Sequence, residues 1–130
     1  MTGFAGLLST APLDPTVIND LLAGMARDIT YESGDLVDTW TGTHLGLTRV
    51  HHGVLNPEPQ PIFNEDGSLC IVMDGEVFDY DRERQWLEKR GDQFRCKDND
   101  AEFCLHLYEA YGVDAFAKLN GSFAFLIYDA

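Results

Sequence analysis

The sequence predicts an α+β domain whose strands form a largely antiparallel sheet. Three observations predict it. Leu69-Cys70-Ile71-Val72-Met73 and Ser122 to Tyr128 are apolar runs, dense in β-formers and too short for helices. Glycine-containing turn signals at Asp66-Gly67, Asp74-Gly75 and Asn120-Gly121 join strand to strand. Between them, Asp14-Pro15, Asp81 and Asp98-Asn99-Asp100 stand where helices begin.

Taken in order, the small apolar residues 2 to 8 suit a strand at the N-terminus. Asp14 as N-cap and Pro15 in the first turn open a helix to about Arg27, with Val17, Ile18, Leu21, Leu22 and Met25 as its apolar face. Tyr31 to Gly42 is polar and leads into a short strand over Leu36 to Thr41, and Thr43 to Val50 forms the next strand with Arg49 near its end. Gly53 to Gly67 holds three of the five prolines and reads as a long loop closing in the turn Asn64-Glu65-Asp66-Gly67. The central strand follows and breaks at Asp74-Gly75, where the glycine either makes a plain hairpin turn or leaves an amide open to a ligand. Asp81 caps a helix to about Arg90, with Trp86 and Leu87 inward and Gly91 as its stop. Gln93 to Cys96 is a short strand. The helix after Asp98-Asn99-Asp100 places Phe103, Cys104, Leu107 and Tyr108 on one face and ends near Tyr111-Gly112, before a shorter helix over Val113 to Leu119.

Twenty-two acidic residues against nine basic give a formal charge of -13, which repels phosphate backbones and anionic lipid. Nucleic acid and membranes are therefore not expected as partners. The first residues lack a signal peptide's positive start and apolar core, and no run approaches a membrane span, so a cytoplasmic location is expected. Cys70, Cys96 and Cys104 have no paired spacing and sit in apolar or strand-like surroundings, which suits buried free thiols. His44, His51, His52 and His106 show no ligand spacing, so no metal site is expected.

The order of these pieces resembles the class II glutamine amidotransferases. Met1-Thr2-Gly3-Phe4-Ala5-Gly6 is similar to their M-C-G-I-A-G start. Asn64 to Leu69 and Asp74-Gly75-Glu76-Val77-Phe78-Asp79-Tyr80 resemble N-E-D-G-S and N-G-E-I-Y-N-Y. Asp100-Ala101-Glu102 with Leu105-His106-Leu107-Tyr108 resembles S-D-T-E-V-I-L-H-L-Y, and Leu119-Asn120-Gly121-Ser122-Phe123-Ala124-Phe125 resembles L-N-G-M-F-A-F. Within the class, the likeness is to the glutaminase domain of glutamine-dependent asparagine synthetases.

The resemblance implies an N-terminal-nucleophile hydrolase fold, a four-layer sandwich with antiparallel sheets between helices, of which residues 1–130 would be the N-terminal part. A strand ending at Asp129-Ala130 implies that the domain continues. In working members, removal of Met1 exposes a nucleophilic cysteine at position 2, and the released ammonia passes to a synthetase domain that uses ATP and magnesium. No cofactor is then expected in this chain. The implied partners are glutamine or a similar amino acid and a C-terminal or separate synthetase, with a homodimer compatible. Arg49 matches the arginine that pairs the α-carboxylate of glutamine, a task suited to a guanidinium fork. The backbone of Val50, His51, His52 and Gly53 lines the same pocket, Gly75 and Glu76 match the N-G-E loop, and Asp100 matches the carboxylate for the α-ammonium. Taken alone, Arg49 reads first as one half of a surface ion pair; with Asp100 and Gly75 in family register, the ligand-holding reading comes first.

Two positions depart from the pattern where the chemistry lies. Thr2 stands at the cysteine position, and a hydroxyl needs stronger base assistance than a thiol, although an N-terminal threonine can obtain it from its own amine. Asp74 replaces the asparagine whose amide donates to the oxyanion, and an ionised carboxylate only accepts. Ile29 to Asp35 also stands where the family has its H-R-G-P-D loop. These departures predict a glutaminase domain with degenerate catalysis; the alternatives are an active hydrolase using Thr2 and a non-catalytic amino-acid-binding or interaction module.

Overall fold

The computed structural model describes residues 2–130, and the expected removal of Met1 lies outside them. Six strands form two three-stranded antiparallel sheets. The first has the order β1 (Gly3–Leu8), β3 (Leu45–His51), β2 (Leu36–Thr41); the second has the order β4 (Ile62–Phe63), β5 (Leu69–Val77), β6 (Gly121–Asp129). Helix α1 (Pro15–Ile29) lies against the first sheet, while α3 (Asp100–Tyr111) lies against the second and carries α2 (Asp81–Arg90) beside it. With β1 and β3 touching β5, the layers run helix, sheet, sheet, helix, the sandwich the sequence implies.

The period of two in β5 explains how one strand serves two cores. Cys70 and Val72 point toward Leu45, Leu47, Phe4 and Trp40 of the first sheet. Ile71 and Met73 point the other way, into a core with Leu87, Phe103 and Leu107 from the helices. Leu69 to Met73 is accordingly buried throughout, as its composition predicts. On the outer side, Ile18 and Leu22 of α1 press onto Gly46, where an added Cβ would lie 2.8 Å from Ile18 Cγ1.

Local end signals are largely obeyed. The Asp14 carboxylate accepts from Thr16 N and Val17 N, Asn99 accepts from Glu102 N, and Gly91 closes α2 in the left-handed region. Several expectations need correction. The central strand does not break at Asp74-Gly75: it continues to Val77, with Gly75 opposite Phe123 and no hairpin. Gly75 is required there because its φ is +101° and a Cβ would sit 2.1 Å from Ser122 O, so the close approach is to the neighbouring strand. Gln93 to Cys96 is not a strand; the Glu102 carboxylate accepts from Arg95 N and Cys96 N at 2.8 Å each, which satisfies those amides without a ladder. Asp81 is the first residue inside α2 rather than its cap, where its charge favours the helix N-terminus.

Trp86 is exposed and stacks on Tyr111, while in α1 only the stripe Ile18, Leu22, Ala26 is buried and Val17 and Leu21 face outward. Last, the long loop contains β4, which pairs Ile62 with Ile71, and Gly112–Lys118 is a 3-10 helix. Strand β6 alternates, with Phe123, Phe125 and Ile127 packed on the helix-side core and Ala124 and Leu126 exposed on the other face.

Candidate functional site

The site forms where the paired start of β1 and end of β3 face β5 of the other sheet. Gly3 pairs with Val50, which brings Thr2 alongside the end of β3. Thr2 then lines a cavity of about 360 Å³ with Arg49, His51 and His52 from β3 and its end, Val54 and Leu55 from the following loop, and Asp74 and Gly75 from β5. A second cavity of about 520 Å³ shares Val54 and Leu55 and takes its polar wall from Glu58, Glu76, Asp98 and Asp100, with Tyr80 and Lys97. The fold thus brings Thr2, Arg49, His51, His52, Asp74 and Gly75 together. Glu76 and Asp100 face the adjoining cavity. Val50 is wholly buried in β3, and Gly53 makes the turn after it at a φ of +71°.

Arg49 is the most heavily engaged of these residues and is only 3% exposed. Its Nη1 donates to Asp38 Oδ2 and Glu58 O at 3.4 Å each, and its Nη2 donates to Leu55 O at 3.4 Å and Asn56 O at 3.0 Å. Four N–H directions are spent inside the chain, and only the buried Nε–H lacks a partner. Burial lowers the guanidinium's pKa, and the carboxylates of Asp38, Asp74 and Glu58 oppose that shift. Asp74 therefore acts electrostatically on Arg49 as an anion within the same wall.

Asp100 is similarly committed. Its Oδ2 accepts from Val77 N at 3.0 Å and its Oδ1 from the Tyr80 hydroxyl at 2.6 Å. Burial and that bond push the Tyr80 pKa up, so the phenol remains a donor. Asn56 joins the two halves of the site: its Nδ2 donates to Gly75 O at 3.1 Å and its Oδ1 accepts from Asp100 N at 2.7 Å.

His51 has a defined neutral tautomer. Nδ1 accepts from Gly53 N at 3.2 Å, so the ring proton belongs on Nε2, which lies 3.4 Å from Asp38 Oδ2. Burial, reinforced by the charge of Arg49, lowers its pKa below the ordinary 6.5. Because the folded pKa lies below the unfolded one, this contribution to stability is complete above about pH 6.5 and is lost as pH falls through the folded value. Urea midpoints measured from pH 7 to pH 5 should therefore fall, and His51→Gln should flatten that part of the profile.

Cysteine chemistry offers no substitute nucleophile here. Cys70, Cys96 and Cys104 are unpaired, and none lines either cavity. Burial pushes Cys104 up to about 12 and Cys96 up to about 11, where a thiolate is scarce at neutral pH.

Sequence reasoning missed Asp38, Asn56 and Glu58, which hold the walls of the site. Asn56 carried one signal, since asparagine tolerates the positive φ of 48° it adopts. Asp38 carried none, because its partners Arg49 and Gln60 N lie 11 and 22 residues away.

Residues 1–130 match the family described as a glutamine amidotransferase domain. The chain is 32% identical over 132 residues to a glutamine-hydrolysing asparagine synthetase 1 of Bacillus subtilis, covering 99% of this chain and 21% of that one. It is 39% identical over 96 residues to asparagine synthetase 1 of Arabidopsis thaliana, covering 69% and 16% respectively. Among solved structures, the glutamine phosphoribosylpyrophosphate amidotransferase of B. subtilis, complexed with ADP and GMP, is similar in fold. The TM-score is 0.66 at 19% identity, over 99% of this chain and 35% of that one. The chain thus spans about a fifth or less of the length of these curated relatives. No helix among the described residues is long and apolar enough to cross a membrane.

Proposed function

The chain belongs to the glutamine amidotransferase domain family, related to the glutaminase domains of asparagine synthetases, and from that premise we propose that it is a catalytically degenerate member. One observation carries the reading: Thr2 and Asp74, the two positions that depart from the family's chemistry, line the same cavity as Arg49 and Gly75. The nucleophile's position offers a hydroxyl in place of a thiol. The oxyanion's position offers a carboxylate, which donates no hydrogen bond and repels the negative charge that forms during amide attack.

At the amino-acid end of the pocket, both charged groups are already bonded within the chain. Glutamine's α-carboxylate would meet an arginine whose terminal nitrogens are already bonded and whose charge is offset by Asp38, Asp74 and Glu58. Its α-ammonium would meet an Asp100 already accepting from Val77 and Tyr80. These arrangements favour a supporting role beside an amide-forming synthetase, as domain or separate partner, over independent hydrolysis. ATP and magnesium would act on that synthetase and are assigned to no residue of this chain.

The test is a coupled ammonia assay on protein whose N-terminal residue has been verified as Thr2. Millimolar glutamine should release no more ammonia than a protein-free blank. Turnover matching that of an intact relative would instead establish Thr2 as a working nucleophile and overturn the proposal.

A further inference from the structure

Helix α2 turns a tryptophan outward. Within the helix only Leu87 is buried, and Trp86 is 44% exposed. Arg82 stands four residues before it, on the same face. Tyr111 at the end of α3 and Lys118 at the end of the 3-10 helix meet this face, and with Glu83 the five residues line a cavity of about 330 Å³. None of the five lines either cavity of the site already described, apart from which this one stands.

The aromatic wall is held in one arrangement by cations. Trp86 and Tyr111 stack with ring centroids 5.3 Å apart, Arg90 lies over Trp86 at 5.7 Å, and the Lys118 ammonium lies 4.4 Å from the centre of the Tyr111 ring. Such contacts order a lysine that would otherwise be free. Stacking turns one face of each ring toward the other and leaves the ring edges, the positive part of the quadrupole, for a ligand. The cations beside them are not balanced by the chain. Arg84 pairs with Glu88 and Arg90 makes a bidentate pair with Asp92, but among the described residues neither Arg82 nor Lys118 has a carboxylate partner. With 22 acidic residues against nine basic, a shortage of carboxylates does not explain two unpaired cations on one cavity. Glu83 supplies the wall's carboxylate.

We propose that this cavity binds a small aromatic oxyanion, a ring bearing a phosphate or carboxylate group, with the anion between Arg82 and Lys118 and the ring against the edges of Trp86 and Tyr111. A guanidinium presents a fork that matches either group, and an ammonium adds a point charge. A volume of about 330 Å³ lies at the small end of ligand cavities, which span roughly 300–1,000 Å³, so a one-ring compound suits it better than a polymer. The formal charge of -13 works against anions over the chain as a whole, and Glu83 works against them here, so both cations are needed. The site is independent of whether glutamine is hydrolysed.

Phenyl phosphate and benzoate are the probes, at low ionic strength, with benzyl alcohol as the uncharged ring. The chain has two tryptophans, and Trp40 packs against Phe63 in the other core, so the two indole N–H signals of a proton–nitrogen NMR spectrum report on separate places. Trp86→Phe identifies the signal of Trp86. One or both anions should move that signal saturably, with millimolar affinity, and leave the Trp40 signal still. Response to phenyl phosphate alone assigns the cavity to phosphates, and response to benzoate alone assigns it to carboxylates. Arg82→Gln and Lys118→Gln change exposed side chains, so both variants should fold, and each should weaken binding about threefold. Glu83→Gln should tighten it. The proposal is overturned if neither anion moves the Trp86 signal or if benzyl alcohol moves it as far. It is equally overturned if either cation variant binds as tightly as wild type, or if Glu83→Gln binds no more tightly.

Discussion

Arg49→Ala should destabilise the folded domain by about 3–5 kcal/mol, the cost of breaking a buried, hydrogen-bonded charge from one side. The guanidinium donates to Asp38 and to the carbonyls of Leu55, Asn56 and Glu58, so its removal leaves three carbonyls with no other donor assigned to them and an Asp38 carboxylate that keeps only Gln60 N and His51. Three of those bonds are 3.4 Å long, which places the expected loss toward the lower end of the range. Urea denaturation of wild type and variant measures it. An arginine kept only to hold a ligand's carboxylate would behave differently: the variant would unfold at the same urea concentration and lose about 1.5–3 kcal/mol of glutamine affinity alone. Arg49→Lys separates charge from shape, because an ammonium cannot reach several acceptors through a planar fork; it should recover only part of the lost stability.

How much of this could be read in advance depends on how far each cause reaches along the chain. Asp14, Asn99 and Gly91 act within three or four residues of themselves, so their caps were legible. Leu69 to Met73 declared its double burial by composition alone. Gly75 could not be read this way. Locally, a glycine after an acidic residue looks the same whether it turns the chain or admits a neighbouring strand, and only pairing with Ser122 and Phe123 decides. Gln93 to Cys96 failed for a related reason, since its amides are satisfied by a carboxylate on the next helix.

At the site, family register identified Arg49, Asp74 and Gly75, and the fold brings them to one cavity with Thr2. Register says nothing about which hydrogen-bonding directions are already used. That Arg49 is spent on the loop after β3 and Asp100 on Val77 and Tyr80 follows from tertiary contacts alone. Sequence spacing likewise gave no sign of the Asp35–His52 ion pair, because the two meet only when the turn folds back on the end of β3.

The double variant Thr2→Cys, Asp74→Asn should gain glutaminase activity that neither single variant shows. Thr2→Cys supplies a more nucleophilic atom, but its tetrahedral intermediate would still form beside the Asp74 carboxylate. Asp74→Asn supplies an amide donor, worth roughly 10²–10³ in rate where such donors have been removed, but only when a competent nucleophile generates the oxyanion it stabilises. Parts that act as a unit are strongly non-additive, so each single change should leave turnover near the blank. Asp74→Asn also removes one of the anions that oppose Arg49, making the cavity more receptive to the carboxylate of glutamine. The double variant should therefore turn over at millimolar glutamine, where Thr2→Cys alone stays near the blank. Ammonia release at several glutamine concentrations, on proteins with verified N-termini, measures this. If the double variant stays inactive while folding normally, loss extends beyond these two groups. The next suspects are then the ligand-holding ends, where Arg49 and Asp100 spend their hydrogen bonds within the chain.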